Sequence, residues 1–159
     1  MATEKLKLLV VDDDHINLKL IQELLINQYD ITLCQSASEC LDAVESLTPD
    51  AFLLDVKMPG MDGFELCKKL RNQSTLTNAL IIFLSRLDTL EEKITGFDAG
   101  ADDFITKPFQ IDILSKKLST NLKRIKSAEA SAARTMEMAM MAMANGSEIG
   151  QVNVFYEQL

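Results

Sequence analysis

The chain has 159 residues, 16 Lys and Arg against 24 Asp and Glu, and a formal charge of −8 at pH 7. Hydrophobic residues make up 47% and charged ones 25%, which suits one globular domain with a true core plus an appendage. The acidic surplus, the lack of Trp and the single His exclude broad phosphate-backbone binding, base stacking and a multi-histidine metal site, so no direct nucleic-acid contact is expected.

Cys34, Cys40 and Cys67 form no CxxC pair, too few and too spread for a disulfide framework or a zinc cage. They are expected to be reduced and buried. The N-terminal stretch has no apolar signal segment, and no apolar run approaches the ~18 residues of a membrane span. The sequence predicts a soluble, cytoplasmic protein without a membrane partner.

In chain order, Leu8-Leu9-Val10-Val11 is a strand run that ends abruptly in Asp12-Asp13-Asp14. Ile16, Leu20, Leu24 and Leu25 then recur at helical spacing. Ile31 to Cys34 is a second run, followed by Ser36 and Glu39 as a capping box for a helix carrying Leu41, Val44 and Leu47 and broken by Pro49. Ala51 to Leu54 is a third run, ending at Asp55. After a Pro-Gly turn comes a helix from Phe64 to Arg71, then a run from Ala79 to Leu84 ending at Ser85. Thr89 and Glu92 cap a further helix through Ala99; Phe104-Ile105-Thr106 leads to Lys107-Pro108, and a last helix begins near Gln110.

Apolar strands without alternation are buried on both faces, so the expected fold is α/β: a doubly wound, five-stranded parallel sheet flanked by five helices. Right-handed crossovers put every strand's carboxyl end on one edge, where such sheets bind ligands. Asp12, Asp13, Asp55, Ser85 and Lys107 each follow a strand run and should therefore converge in one crevice. Three carboxylates together are costly unless a cation sits among them, and oxygen donors without Cys or His point to Mg2+. Lys107 is a point cation suited to a phosphoryl oxygen, and the Ser85 hydroxyl can donate to another. Asp55, alone at its strand end, is the best nucleophile candidate for an aspartyl-phosphate.

These residues carry a resemblance. Leu8 to Asp14, Phe52-Leu53-Leu54-Asp55 through Pro59-Gly60-Met61-Asp62-Gly63, Leu84-Ser85, and Gly100-Ala101-Asp102-Asp103-Phe104 through Lys107-Pro108-Phe109 are together similar to the receiver domain of two-component response regulators. The resemblance covers about residues 5–125. It implies that Asp55 accepts a phosphoryl group from a histidine kinase or phosphotransfer protein. It also implies that Asp12, Asp13, Asp55 and the backbone carbonyl of Lys57 hold Mg2+, and that Lys107 ion-pairs with the phosphoryl group. Ser85 and Phe104 match the family's switch pair, in which the hydroxyl moves to the phosphoryl group and the ring follows inward; on its own spacing Phe104 is a core position. The Lys107-Pro108 bond is expected to be cis. Two departures stand out. Arg86 occupies a position where the family usually has a small residue; it would slow phosphorylation, shield the aspartyl-phosphate from water, or swing out to solvent. Ser85 replaces the commoner Thr.

Apolar positions continue past that domain. Ile111, Leu114, Leu118, Leu122, Ile125, Ala128, Ala132, Met136, Ala139 and Met143 step by three or four, with no Gly or Pro from Gln110 to Ala144. This predicts a last helix about 50 Å long, extended into a C-terminal helical tail, at 1.5 Å per residue. Residues 128–144 hold seven Ala and five Met. Asn145-Gly146 is a stop signal, and Ser147-Glu148 starts a further helix with Ile149, Val152, Phe155, Tyr156 and Leu159 on one face. The expected organisation is a receiver domain over 1–125 and a helical extension over 126–159, as a dimerisation stalk or a linker to an output domain. The apolar stripe needs cover from a second copy, from the folded-back terminal segment, or from a partner helix. Since the pattern runs to Leu159, the sequence is also expected to be the N-terminal part of a longer protein.

The predicted activity is a phosphorylation-dependent switch in a phosphorelay, a signalling protein and not an enzyme. One alternative is a constitutive helical dimerisation scaffold. Another is a haloacid dehalogenase-like phosphohydrolase, which Asp12 and Asp14 fit superficially; His15-Ile16 stands where that class has Gly-Thr.

Overall fold

A computed structural model describes residues 4–86 and 89–145. Strands β1 (Leu6–Val11), β2 (Tyr29–Cys34), β3 (Ala51–Asp55), β4 (Leu80–Ser85) and β5 (Asp103–Thr106) form one five-stranded sheet in the order β2-β1-β3-β4-β5. All pairings are parallel, with Val11 beside Cys34 and Leu54, and Asp55 beside Leu84. The central strands are as apolar as their sequences require: every residue of β3 and β4 is buried. Edge strand β2 has only one neighbour, and Asp30 to Leu33 stay exposed or half-buried.

The chain leaves β1 towards β2 and returns across the sheet to β3, so the winding reverses between β1 and β3. Their carboxyl ends carry Asp12 and Asp55, and that reversal opens the crevice in sheets of this kind. Helices α1 (His15–Leu25), α2 (Ala37–Ala43), α3 (Gly63–Arg71) and α4 (Leu90–Ala99) all begin at this edge. Asp14, Ser36, Asp62 and Thr89 cap them, each side chain accepting from a backbone N–H of the first turn. The positive ends of the helix dipoles therefore gather where the acidic side chains do.

Leu9, Val11, Phe52, Leu54, Ile81 and Phe83 share one core with residues of α2, α3 and α4. By the alternation of a strand, Leu8, Val10, Leu53 and Ile82 point to the opposite face. There α1 buries Leu18, Ile21 and Leu25, and α5 (Ile111–Ala144) buries Leu114, Leu118 and Leu122.

The structure departs from expectation in small ways. Helix α2 stops at Ala43 instead of reaching Leu47, because the chain tightens into i to i+3 bonds, Glu45 N–H to Asp42 O and Ser46 N–H to Ala43 O at 3.3 Å each. An unforeseen 3-10 turn, Ser74–Leu76, brings Leu76 into the core. The expected last helix is present as one element of 34 residues. The chain divides into two units, Met1–Leu122 and Lys123–Leu159. The expected stop at Gly146 and the segment from Ser147 to Leu159 lie outside the described residues.

At the edge opposite the carboxyl ends, Arg71 ties four segments together. Its Nε donates to Gly100 O at 2.8 Å, its Nη1 to Leu76, Thr77 and Ala79 carbonyls at 3.2, 3.1 and 2.6 Å, and its Nη2 to Asp102 at 2.9 Å. Asp102 in turn accepts from Ile81 N–H at 2.9 Å. Gly100, which ends α4 with φ +111°, leaves the room the Arg71 side chain fills: a Cβ there would lie 2.7 Å from Arg71 Cγ. Hydrogen bonds to a charged group contribute about 1.5–3 kcal/mol each, and a lysine point charge cannot reproduce the planar fork. Arg71→Lys is therefore expected to lower the urea-unfolding free energy by about 2–3 kcal/mol with an unchanged m-value. A loss below about 0.5 kcal/mol, ordinary for a surface change, would show that the carbonyls find other donors.

Candidate functional site

Asp12 follows β1 and is 1% exposed, its backbone N–H bonded to Cys34 O at 3.1 Å. Its carboxylate is held from three sides. Oδ1 accepts from Asp14 N–H at 2.9 Å, and Oδ2 accepts from Lys107 Nζ at 2.9 Å and from Asn17 Nδ2 at 3.4 Å. Lys107, whose side chain is 9% exposed, also lies 3.4 Å from Asp55 Oδ1 and so bridges two strand ends. The Lys107-Pro108 peptide is cis, as expected.

Asp55 is positioned by the turn that follows it. Gly63 N–H donates to Val56 O at 2.8 Å, and a Cβ on Gly63 would collide with the Asp55 carbonyl oxygen. Gly60 in the same turn has φ +78°, a conformation that favours glycine. The closeness of this turn to Asp55 explains the glycine at 63.

Ligand oxygens of Asp12, Asp13 and Asp55 all lie within 4.8 Å of one another. Three hard oxygen donors with no sulfur or imidazole fit a hard dication. The Asp55 carboxyl is raised to about 6, chiefly by burial and then by Asp12, with Lys107 pulling it down and Asp13 adding a smaller upward push. A cation among these acids would relieve that repulsion.

Asp12, Asp13, Asp55, Ser85, Lys107 and Lys57 all line one cavity of about 320 Å³. Ser85 is buried, and its Oγ donates to Glu92 Oε1 on α4 at 3.5 Å. Phe104 is not in the cavity wall. Its ring is buried behind it, 5.5 Å from Phe83 and 6.4 Å from Phe97. Arg86 lines the cavity and makes no ion pair among the described residues. Asn17 and Asp14 also line it; sequence reasoning gave Asn17 no site role and Asp14 only a superficial fit to the phosphohydrolase alternative. The signal was available: Asp14 is a helix cap, and a side chain three residues into the first turn bends back toward the strand end. The cysteines are buried and unpaired, with burial pushing the Cys34 and Cys67 thiols up to about 11 and Cys40 higher still. None of them lines this cavity.

The geometry and the sequence agree on a class. A family model, the response regulator receiver domain, matches residues 8–119, and the chain belongs to that family. The response regulator MprA of Mycobacterium bovis is 38% identical over 134 residues, which are 84% of this chain and 57% of that protein. The chain thus spans about half the length of the curated relatives it matches. Among solved structures, the Vibrio cholerae chemotaxis protein CheY4 has a TM-score of 0.71 at 30% identity, covering 73% of this chain and 98% of that one. A receiver domain of DrrB activated with BeF3 has a TM-score of 0.69 at 31% identity, covering 75% and 98%.

The raised Asp55 carboxyl has a consequence for stability. Its folded value of about 6 lies above the ordinary carboxylate value, so the folded state holds the proton more tightly than the unfolded chain. The stabilisation from the protonated form is complete below about pH 4 and is lost as pH rises through about 6. In EDTA, Asp55→Asn is accordingly expected to be about 1–2 kcal/mol more stable than the unsubstituted chain at pH 7.5, with the gap closing near pH 4. Urea unfolding at the two pH values checks this. An equal gap at both would sever it from Asp55 ionisation.

Proposed function

We propose that the chain is a phosphorylation-controlled switch of a two-component phosphorelay. Asp55 is the acceptor, and its donor is the phosphohistidine of a histidine kinase or phosphotransfer protein. One observation supports this above the rest: three carboxylates within 4.8 Å, with Lys107 bridging Asp12 and Asp55, in a cavity large enough for a dication and a phosphoryl group. Asp12, Asp13, Asp55 and the backbone carbonyl of Lys57 would hold Mg2+. That ion supplies charge neutralisation between the acidic cluster and the incoming phosphoryl oxygens.

An Asp55 carboxylate oxygen attacks phosphorus in line, the O–P bond forms, and the P–N bond breaks, its electron pair leaving with the imidazole, which takes up a proton. Lys107 sits beside Asp55 and can turn its ammonium from Asp55 Oδ1 to a phosphoryl oxygen. Ser85 exchanges its long bond to Glu92 for a phosphoryl oxygen. Phe104, two residues before the Thr106 that pairs with Ser85 across β4 and β5, follows that movement. The product is a conformational state, read out by population shift between two receiver forms, so we class the protein with signalling proteins and not with enzymes. We place it in the cytoplasm; no helix of the described residues is long and apolar enough to cross a membrane.

The segment from about residue 126 onwards we read as the readout element. Met136, Met138, Met140, Met141 and Met143 are 64–71% exposed. Leu122, Ile125, Glu129, Ala132, Met136, Ala139 and Met143 alternate three- and four-residue steps, the spacing of a helical seam. A second copy is the cover this pattern fits best, with an output domain, fused or separate, as the downstream partner. Light scattering of the chain is expected to give twice the mass of one chain. A monomer with and without beryllium fluoride would overturn self-association.

Acetyl phosphate with Mg2+ is expected to add one phosphoryl group by intact mass, and both Asp55→Asn and EDTA should abolish the gain. An unmodified wild-type mass would sink the reading.

A further inference from the structure

Gly96 stands in the interior of α4 and is buried. Its backbone does not call for glycine, since the positive φ angles among the described residues belong to Gly60 and Gly100. Helix formation does not either, because glycine is among the poorest helix formers. Space does. A Cβ at Gly96 would lie 2.7 Å from Phe104 Cε2 and 3.2 Å from Phe83 Cδ2. Phe83 is fully buried on central strand β4 and its ring is also packed 5.2 Å from that of Phe64, so it has nowhere to go. Phe104 is on edge strand β5, and the ring it meets on its outer side, Phe97, is 48% exposed. Of the two rings, Phe104 is the one that can yield, and it yields outward.

The same face of α4 touches the other half of the switch pair. Glu92, one turn before Gly96, accepts the Ser85 hydroxyl at 3.5 Å. Phe83 pairs with Phe104 and Ser85 with Thr106, so Ser85 and the Phe104 ring lie on one face of adjacent strands. Helix α4 thus offers an acceptor to the hydroxyl and, four residues on, a vacancy to the ring.

We propose that Gly96 is the receptacle of the Phe104 ring, a positioning residue whose missing side chain sets how readily the ring lies inward and so how tightly the Asp55 site holds a phosphoryl group. The inference rests on the function proposed above, in which the inward ring accompanies the Ser85 movement. The three atoms nearest a methyl group at 96 belong to Phe104 and Phe83, and neither residue lines the cavity. The methyl's 3.2 Å approach to Phe83 is common to both ring positions, whereas the 2.7 Å clash with Phe104 penalises the inward state alone, and a ligand that prefers this state then binds more weakly by the fraction lost.

The test is calorimetric titration of the full chain, first with Mg2+ alone and then, Mg2+-loaded, with beryllium fluoride. Gly96→Ala is expected to leave Mg2+ affinity unchanged and weaken beryllium fluoride binding about tenfold, the scale of a population shift that moves a largely inward ring to a largely outward one. In the Phe104→Leu background, which vacates the contested space, adding Gly96→Ala should change beryllium fluoride affinity by less than about twofold, since the coupling is lost with the ring. Equal beryllium fluoride affinity for wild type and Gly96→Ala would overturn the inference alone. A tenfold loss that persists in the Phe104→Leu background would do the same, because the ring would not be its cause. No binding by the wild type would overturn the function reading and this inference with it. Should Gly96→Ala fail to fold, recovery of fold and binding on adding Phe104→Leu supports the receptacle, and no recovery overturns it.

Discussion

The concentration of negative charge at one sheet edge is the constraint on which the rest depends. Asp12, Asp13 and Asp55 bring their oxygens within 4.8 Å, and among the described residues Lys107, at 2.9 and 3.4 Å from two of them, is the cation that pairs with them. The carboxyl of Asp55 still rises to about 6. Such a cluster persists only where the scaffold holds it, and here the scaffold is apolar strands buried on both faces with capped helix N-termini beside them. The folded chain is thereby poised for positive charge followed by phosphate, the order of events the proposed function requires.

The opposite edge is built on the reverse principle. Arg71 satisfies carbonyls from the α3–β4 loop and the end of α4, and it pairs with Asp102, which also accepts from β4. That edge is closed by paired groups, whereas at the acidic edge Lys107 is, among the described residues, the one cation in an ion pair with the two buried acids. A sheet anchored at one end can move loops at the other without losing register. The aromatic group of Phe83, Phe104 and Phe97 runs along the side of this sheet, from buried core to exposed helix. It offers a packed route from the site to the surface of α4.

The last helix poses a separate physical problem. In the second unit, residues 131–141 are exposed throughout, and four of them are methionines. An exposed apolar stripe of this length marks an interaction surface. Methionine suits a surface that must repack against a partner, because its side chain is flexible and polarizable. The chain spans about half the length of the curated relatives it matches.

Much was decided by the sequence itself. Runs such as Leu8 to Val11 and Ala79 to Leu84 are too apolar to face water on either side, so a covered parallel sheet follows, and with it the gathering of Asp12, Asp55, Ser85 and Lys107 at one edge. Caps were equally legible, because Ser36 and Thr89 bond their own first turns and depend on nothing distant. Tertiary structure alone decided the long-range partnerships. Lys107 lies closer to Asp12, 95 residues away, than to Asp55, and no local pattern encodes that preference. Asn17 entered the site because a strand end happens to lie over the first turn of α1. Helix α2 stopped short of Pro49 through bonding in its own last turn. Gly96 read in sequence as a weak spot in a helix, and only the placement of a ring from β5 shows what the missing side chain leaves room for. Local chemistry sets which elements form; which atoms meet across the sheet is set by packing, which the order of residues along the chain does not display.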